Sequence, residues 1–200
     1  MKVDMRSVLI ILLILIAGVV IFVYNYNSNN NPNDQIQTTM TLAGTLSLSS
    51  PAFAAGGLIP VKYTCDEATS AGGVNPPLAI TGVPAKTQSL VLIMDDPDAV
   101  KPAGRVWDHW IVFNLPPTIT TIAENTVPAG MVGLNSGGQI NYQGPCPPDR
   151  EHRYFFKLYA LDTALNLIAG ANKKEVEQAM TGHILDQAVL IGRYERLRQK

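Results

Sequence analysis

Three apolar-dominated runs stand out along this chain: Ser89 to Met94, Trp110 to Leu115 and Tyr154 to Leu161. Each is too short for a core helix and rich in β-branched and aromatic residues. The pattern predicts strands buried on both faces. Thr41 to Ser49 alternates small polar residues with Leu, the pattern of a half-buried strand stopped by Ser50-Pro51. Leu58 to Thr64 and Pro77 to Ile80 predict two further short strands, and Gly82-Val83-Pro84 ends the second. Asp66 to Pro77 and most of Ile119 to Gln143 read as loop, the latter with short extended pieces. Helical pattern is confined to the C-terminal part. Asn172 with Glu175 three residues on forms a capping-box pattern, and Val176, Ala179 and Met180 then share a face. Gly182 should end that helix. Ile184 to Ala188 predicts a second short helix or turn, and Val189 to Arg196 a last strand. The fold class expected is mainly β with short C-terminal helices.

The N-terminus follows a different rule. Val8 to Val23 carries no charge, Lys2 and Arg6 precede it, and Tyr24 and Tyr26 follow as interfacial aromatics. The run lies near the lower length limit of a spanning helix. No small residues stand where a signal peptidase would cut, and no Cys follows for lipid attachment. Residues 1–24 are therefore expected to be an uncleaved signal anchor, a transmembrane helix with its N-terminus inside the cell. Residues 25–40 are Asn-rich and read as a flexible tether. Residues 41–200 form the folded domain, on the extracytoplasmic side of the membrane.

Composition narrows the function. The 200 residues are 46% hydrophobic and only 16% charged, with a net charge of −1. No broad basic surface points to nucleic acid. The two cysteines, Cys65 and Cys146, would lie on the exported side, where an even count favours a disulfide; two buried free thiols are the alternative reading. Neither has a second Cys or His at metal-ligand spacing.

Candidate chemistry sits beside the buried strands. Asp95-Asp96-Pro97-Asp98 follows the first run, Trp107-Asp108-His109-Trp110 opens the second, and Gly144-Pro145-Cys146-Pro147-Pro148 leads through His152 to Tyr154 at the start of the third. Acids and imidazoles at such places are costly unless paired or used. Strict alternation would put Trp107 and His109 on one face and Asp108 and Trp110 on the other. Asp96 or Asp98 is expected to orient the His109 ring. There is no Gly-x-Ser-x-Gly elbow and no His-Glu-x-x-His pair. His109, Asp98 and His152 lack the close ligand spacing of a metal site, so binding without a cofactor is expected rather than catalysis.

With these segments in view the chain resembles the phosphatidylethanolamine-binding protein family, in its bacterial and archaeal Raf-kinase-inhibitor-like branch. The resemblance also rests on Ser50-Pro51-Ala52-Phe53, Ile59-Pro60-Val61-Lys62-Tyr63-Thr64-Cys65-Asp66, Asn75-Pro76-Pro77-Leu78 and Ala179-Met180-Thr181-Gly182-His183-Ile184-Leu185. It implies a large antiparallel sheet packed on a smaller one, and a pocket for phosphate-like anions or phospholipid head groups. Carried over residue by residue, the pocket acids are Asp96 and Asp98. His109 and Trp107 form one wall. Pro147 and Pro148 form another, with Tyr142 and Gln143 upstream. His152 and Tyr154 complete the set. Val100 stands where the family often has Pro. The resemblance also admits a protein-interaction module that inhibits an extracellular protease or modulates a kinase.

Overall fold

The computed structural model describes residues 45–67 and 72–196. The expected anchor over 1–24, the tether over 25–40 and the first residues of the domain lie outside the described residues. Among those described, no helix is long and apolar enough to cross a membrane.

Two antiparallel sheets form the domain. A three-stranded sheet runs in the order β1 (Ser47–Ser49), β2 (Leu78–Thr81), β5 (Thr121–Ile122). A five-stranded sheet runs β6 (Met131–Val132), β4 (Trp107–Leu115), β3 (Ser89–Asp96), β7 (His152–Leu161), β8 (Ile184–Tyr194). The three apolar runs of the sequence are the three central strands of this sheet. β3 is buried at every position, because both faces of the sheet are covered. Leu90, Leu92 and Met94, with Phe156 and Leu158 of β7, pack against Leu48, Leu78, Ile80 and Ile122 of the small sheet. Val91 and Ile93, with Ile111 and Phe113, pack against Val176 and Met180 of helix α2 (Lys173–Met180). Helix α1 is the single turn Val100–Ala103.

The α2 helix starts as the sequence predicts. Asn172 Oδ1 accepts from the Glu175 amide and Glu175 Oε2 accepts from the Asn172 amide, so two otherwise orphaned donors are satisfied reciprocally. Gly182, at φ +82°, turns the chain just after it.

Several expectations are corrected. Leu58 to Thr64 does not form a strand. Pro60 withholds a ladder donor there, and Val61–Tyr63 make a 3₁₀ turn. Ile184 to Ala188 is not helical but the exposed first half of edge strand β8. One C-terminal helix is present among the described residues, not several. Residues 100–103, for which the sequence predicted no helix, are helix α1, which Val100 opens; Gly104 closes it at φ +74°.

Strand alternation fails at one informative place. Met94 pairs with Trp110, but Asp95 pairs with Asp108, leaving His109 as an extra residue in β4. This β-bulge shifts the phase of the strand. Trp110 therefore joins the core with Tyr154, on the same side as His109. Asp108 turns to the opposite face, where its Oδ1 lies 3.1 Å from Lys173 Nζ. Expected faces for Asp108 and Trp110 are thus separated by the bulge.

Beside Asp108 on that face lies Asp95, 1% exposed. Its Oδ2 accepts from Lys157 at 2.7 Å and from Lys173 as well. Burial works against the Lys173 charge, but its hydrogen bond to Asp95 and the nearby Asp108 outweigh that and push its pKa up. Lys173 is the first residue of α2, so one ion network fastens the helix to the sheet. Lys173→Met should cost about 2–4 kcal/mol in urea unfolding, because it removes a partner from a buried carboxylate. Lys157→Met should cost less, since that side chain is 29% exposed against 15% for Lys173. Equal or negligible losses would contradict this assignment.

Candidate functional site

A cleft of about 220 Å³ opens where β3, β4 and β7 end. β3 ends in Asp96. Its Oδ1 accepts from the Asp98 and Ala99 amides at 2.9 and 3.1 Å, capping the 3₁₀ turn Pro97–Ala99. That turn runs into α1, so Ala99, Pro102 and Ala103 form one lip of the cleft. The Asp-Asp-Pro-Asp segment is therefore an Asx-type turn and a pocket element at once.

β4 supplies Trp107 and His109, the second through the bulge. His109 is 4% exposed. Its Nδ1–H donates to the Gln143 carbonyl at 2.7 Å, and the Gln143 amide donates to the His109 carbonyl at 3.0 Å. Burial lowers the His109 pKa; the Gln143 carbonyl and nearby Asp96, Asp108 and Asp95 offset this only in part. The ring is thus neutral near pH 7 with its proton on Nδ1, which leaves the Nε2 lone pair as an acceptor. Trp107 Nε1–H donates to Gln143 Oε1 at 2.9 Å. An indole only donates, so this bond fixes the amide orientation and leaves Gln143 Nε2 with donors to spare.

The opposite wall is Cys146, Pro147 and Pro148. Cys146 is bonded to Cys65, with Cα atoms 5.4 Å apart and a sequence separation of 81. The disulfide reading of the two cysteines is the one the structure shows. Closing a loop of this length stabilises by roughly 4–5 kcal/mol in the chain-entropy model. The Cys65 amide also donates to the Pro145 carbonyl, so the loop is held by backbone as well as by sulfur.

β7 begins with His152, 0% exposed. Its Nδ1 lies 2.7 Å from Asp96 Oδ2 and its Nε2 lies 2.8 Å from Asp149 Oδ1. The His152 hydrogen bond above all lowers the Asp149 pKa; burial opposes it, and the neighbouring Arg150 and His152 add to the lowering, so Asp149 is ionised. Each ring nitrogen of His152 thus faces a carboxylate oxygen, an arrangement built to hold an imidazolium between two carboxylates.

Of the expected site residues, Asp96, Trp107, His109, Pro147, Pro148 and His152 line the cleft. Three do not. Asp98 turns outward to Arg153, accepting from Nε and Nη2 at 2.9 Å each. Tyr142 lines a separate cleft of about 300 Å³ and donates to the Tyr63 carbonyl at 2.8 Å; its ring packs edge-on against Trp110. Tyr154 lies beneath the cleft, its ring 5.2 Å from that of His109. Its buried hydroxyl has no acceptor for its proton; burial raises its pKa, and the Cys146 backbone amide offsets this only in part. The orienting partner expected for His109 is corrected too. Asp96 holds His152, and a backbone carbonyl holds His109. With Asp98 turned away, His109, Asp98 and His152 do not converge as metal ligands. Gln143 and Cys146, named with the proline-rich wall, line it as well, and the sequence reading missed Ala99, Pro102 and Ala103. The α1 lip gives no signal in sequence beyond the Pro97 and Gly104 that bracket it.

Fold and site together define a two-sheet β domain with a small, mostly apolar-walled cleft at its central strand ends. Residues 49–195 match the family model described as phosphatidylethanolamine-binding protein. A UPF0098 protein of Methanothermobacter thermautotrophicus is 48% identical over 157 residues, 76% of this chain and 99% of that protein. Among solved structures, a phosphatidylethanolamine-binding protein homolog from Chlamydia trachomatis, CT736, is 43% identical. It covers 77% of this chain and 99% of that one, with a TM-score of 0.71. YbcL of E. coli, described as a member of the mammalian PEBP family, is 27% identical over 76% of this chain and 99% of its own, with a TM-score of 0.69. The chain belongs to the phosphatidylethanolamine-binding protein family, among its bacterial and archaeal members.

The Asp98–Arg153 pair sets a pH dependence. The Arg153 hydrogen bond draws the Asp98 pKa from 3.8 down to about 2 against the opposing effect of burial. A depressed carboxylate pKa contributes stability that is complete above the unfolded value and is lost as pH falls through the folded one. Asp98→Asn should therefore be less stable than the parent at pH 7 in urea. The difference should shrink below about pH 4 and vanish only below about pH 2. A pH-independent difference would show that the pair is not its source.

Proposed function

We propose that this chain is a membrane-anchored, extracytoplasmic binding protein, not an enzyme, whose cleft takes phosphoryl head groups that bring their own proton donor. The single observation that carries the reading is the way His109 is held. Its Nδ1–H is committed to the Gln143 carbonyl, which leaves Nε2 to accept from a ligand.

The polar atoms around the cleft can be audited one by one. Asp96 has both oxygens engaged, Trp107 Nε1 is engaged, and both nitrogens of His152 are engaged. Among the side chains, what is left is the His109 acceptor, the Gln143 Nε2 donors, and the Tyr154 hydroxyl proton under the floor. A buried donor without an acceptor costs about 1–3 kcal/mol, so a donor next to a ligand cleft is favoured where a ligand can satisfy it. This donor and acceptor mixture suits a protonated phosphate, P–OH to His109 and P–O to Gln143 or Tyr154. It equally suits the zwitterion of an ethanolamine head group, whose ammonium donates to His109. A fully ionised phosphate would face the His109 lone pair and the Asp96 charge and bind poorly.

The apolar N-terminal run with its preceding Lys2 and Arg6 supports the anchor, and the Cys65–Cys146 bond suits an oxidising compartment. Expressed in a bacterial host, the full chain should pellet with membranes, resist high salt and dissolve in detergent. Recovery in the soluble fraction would remove the anchor from this reading.

Calorimetry with O-phosphorylethanolamine tests the pocket. His109→Ala should weaken binding about ten-fold, the value of one hydrogen bond to a charged partner. For inorganic phosphate, affinity should rise from pH 8 to pH 6 as the monoanion becomes populated, since its second ionisation falls between those two values. Unchanged affinity in the variant, or a preference for the dianion, would overturn the assignment.

A further inference from the structure

The reading above leaves an anion cleft in which no free donor carries a positive charge. The cation at its wall, His152, has its outer N–H covered by Asp149. We infer that Asp149 is an internal competitor: its carboxylate holds the place on His152 Nε2 that an anionic oxygen of the ligand takes over.

The two carboxylates on His152 are held very differently. Asp96 is 3% exposed, and three bonds fix it: two backbone amides and His152 Nδ1. It cannot leave without unwinding the turn before α1. Asp149 lies on the surface loop between Pro148 and β7. Besides His152 its described partner is Arg150, its own neighbour, whose Nη1 donates to Oδ2 at 2.8 Å. That pair can persist while the carboxylate swings off the imidazolium. There is room for the swing, because a further cleft of about 70 Å³, behind the Pro147–Pro148 wall, is lined by Asp149, Arg150, Glu195 and Arg196.

Charge balance favours an exchange over an addition. His152 is flanked by Asp96 and Asp149, with Asp98, Arg150 and Arg153 next outward. Adding an anion beside both carboxylates would concentrate negative charge around one imidazolium. Exchanging Asp149 for a singly charged phosphoryl oxygen keeps the count around His152 unchanged and supplies the charge-assisted bond the cleft otherwise lacks. Ligands without a negative oxygen cannot displace Asp149, so the contact acts as a specificity filter.

This inference rests on the phosphoryl-binding reading, and its test separates the two. Full-length parent, Asp149→Asn and Asp149→Ala are titrated with O-phosphorylethanolamine and, separately, with inorganic phosphate at fixed ionic strength and pH. The two ligands distinguish a head-group site from a free-phosphate site. Removing the competitor should tighten binding of the anion about ten-fold in Asp149→Ala and by a smaller factor in Asp149→Asn. On adding ligand to the parent, the ¹⁵N resonance of His152 Nε2 should shift. A residue that merely braces the loop would give the opposite sign, weaker binding on removal. Parent binding with equal or lower affinity in both variants overturns the competitor. Absence of binding in all three proteins overturns the pocket reading and the competitor with it.

Discussion

Two adjacent carboxylates at the end of one buried strand set the terms for this domain. β3 is covered on both faces, so neither Asp95 nor Asp96 can be left to water. Strand geometry points them to opposite sides. Asp95 is answered by Lys157 and Lys173, and the second of these opens α2. Asp96 is answered by His152 and by the amides of the turn that carries α1. The placement of the helix on one face and the construction of the cleft on the other thus have a common origin. Neither face could lose its cations or donors without stranding a charge in the sheet.

The β-bulge at His109 works on the same strand pair. It faces Asp108 toward Lys173 and frees His109 and Trp110 to share the other side. An imidazole at the cleft and an indole in the core then come from consecutive residues. That is why His109 can rest on the edge of Tyr154 while Trp110 takes the edge of Tyr142. The site is built by ladder geometry as much as by residue identity.

How much of this was legible in sequence follows from the range of the interactions. Central strands were readable because apolar runs such as Leu90 to Met94 declare burial locally. The α2 start was readable because Asn172 and Glu175 bond within one turn. The first half of β8 was not, since an edge strand shows solvent a polar pattern, here Asp186 and Gln187, and takes its form from β7. Most residues of the cleft could be named, because the motifs that carry them are distinctive. Their pairing could not. Which acid serves which histidine depends on contacts spanning 56 residues, Asp96 to His152, and on a bulge that no local signal announces. The same limit hid the outward turn of Asp98 and the burial of Tyr154 beneath the floor.

The size of the cleft has a consequence of its own. At about 220 Å³ it lies below the usual range for sites that enclose drug-sized molecules. The tails of a glycerolipid, with some thirty or more methylene groups between them, could not follow their head group inside. A lipid engaged here would stay rooted in its bilayer.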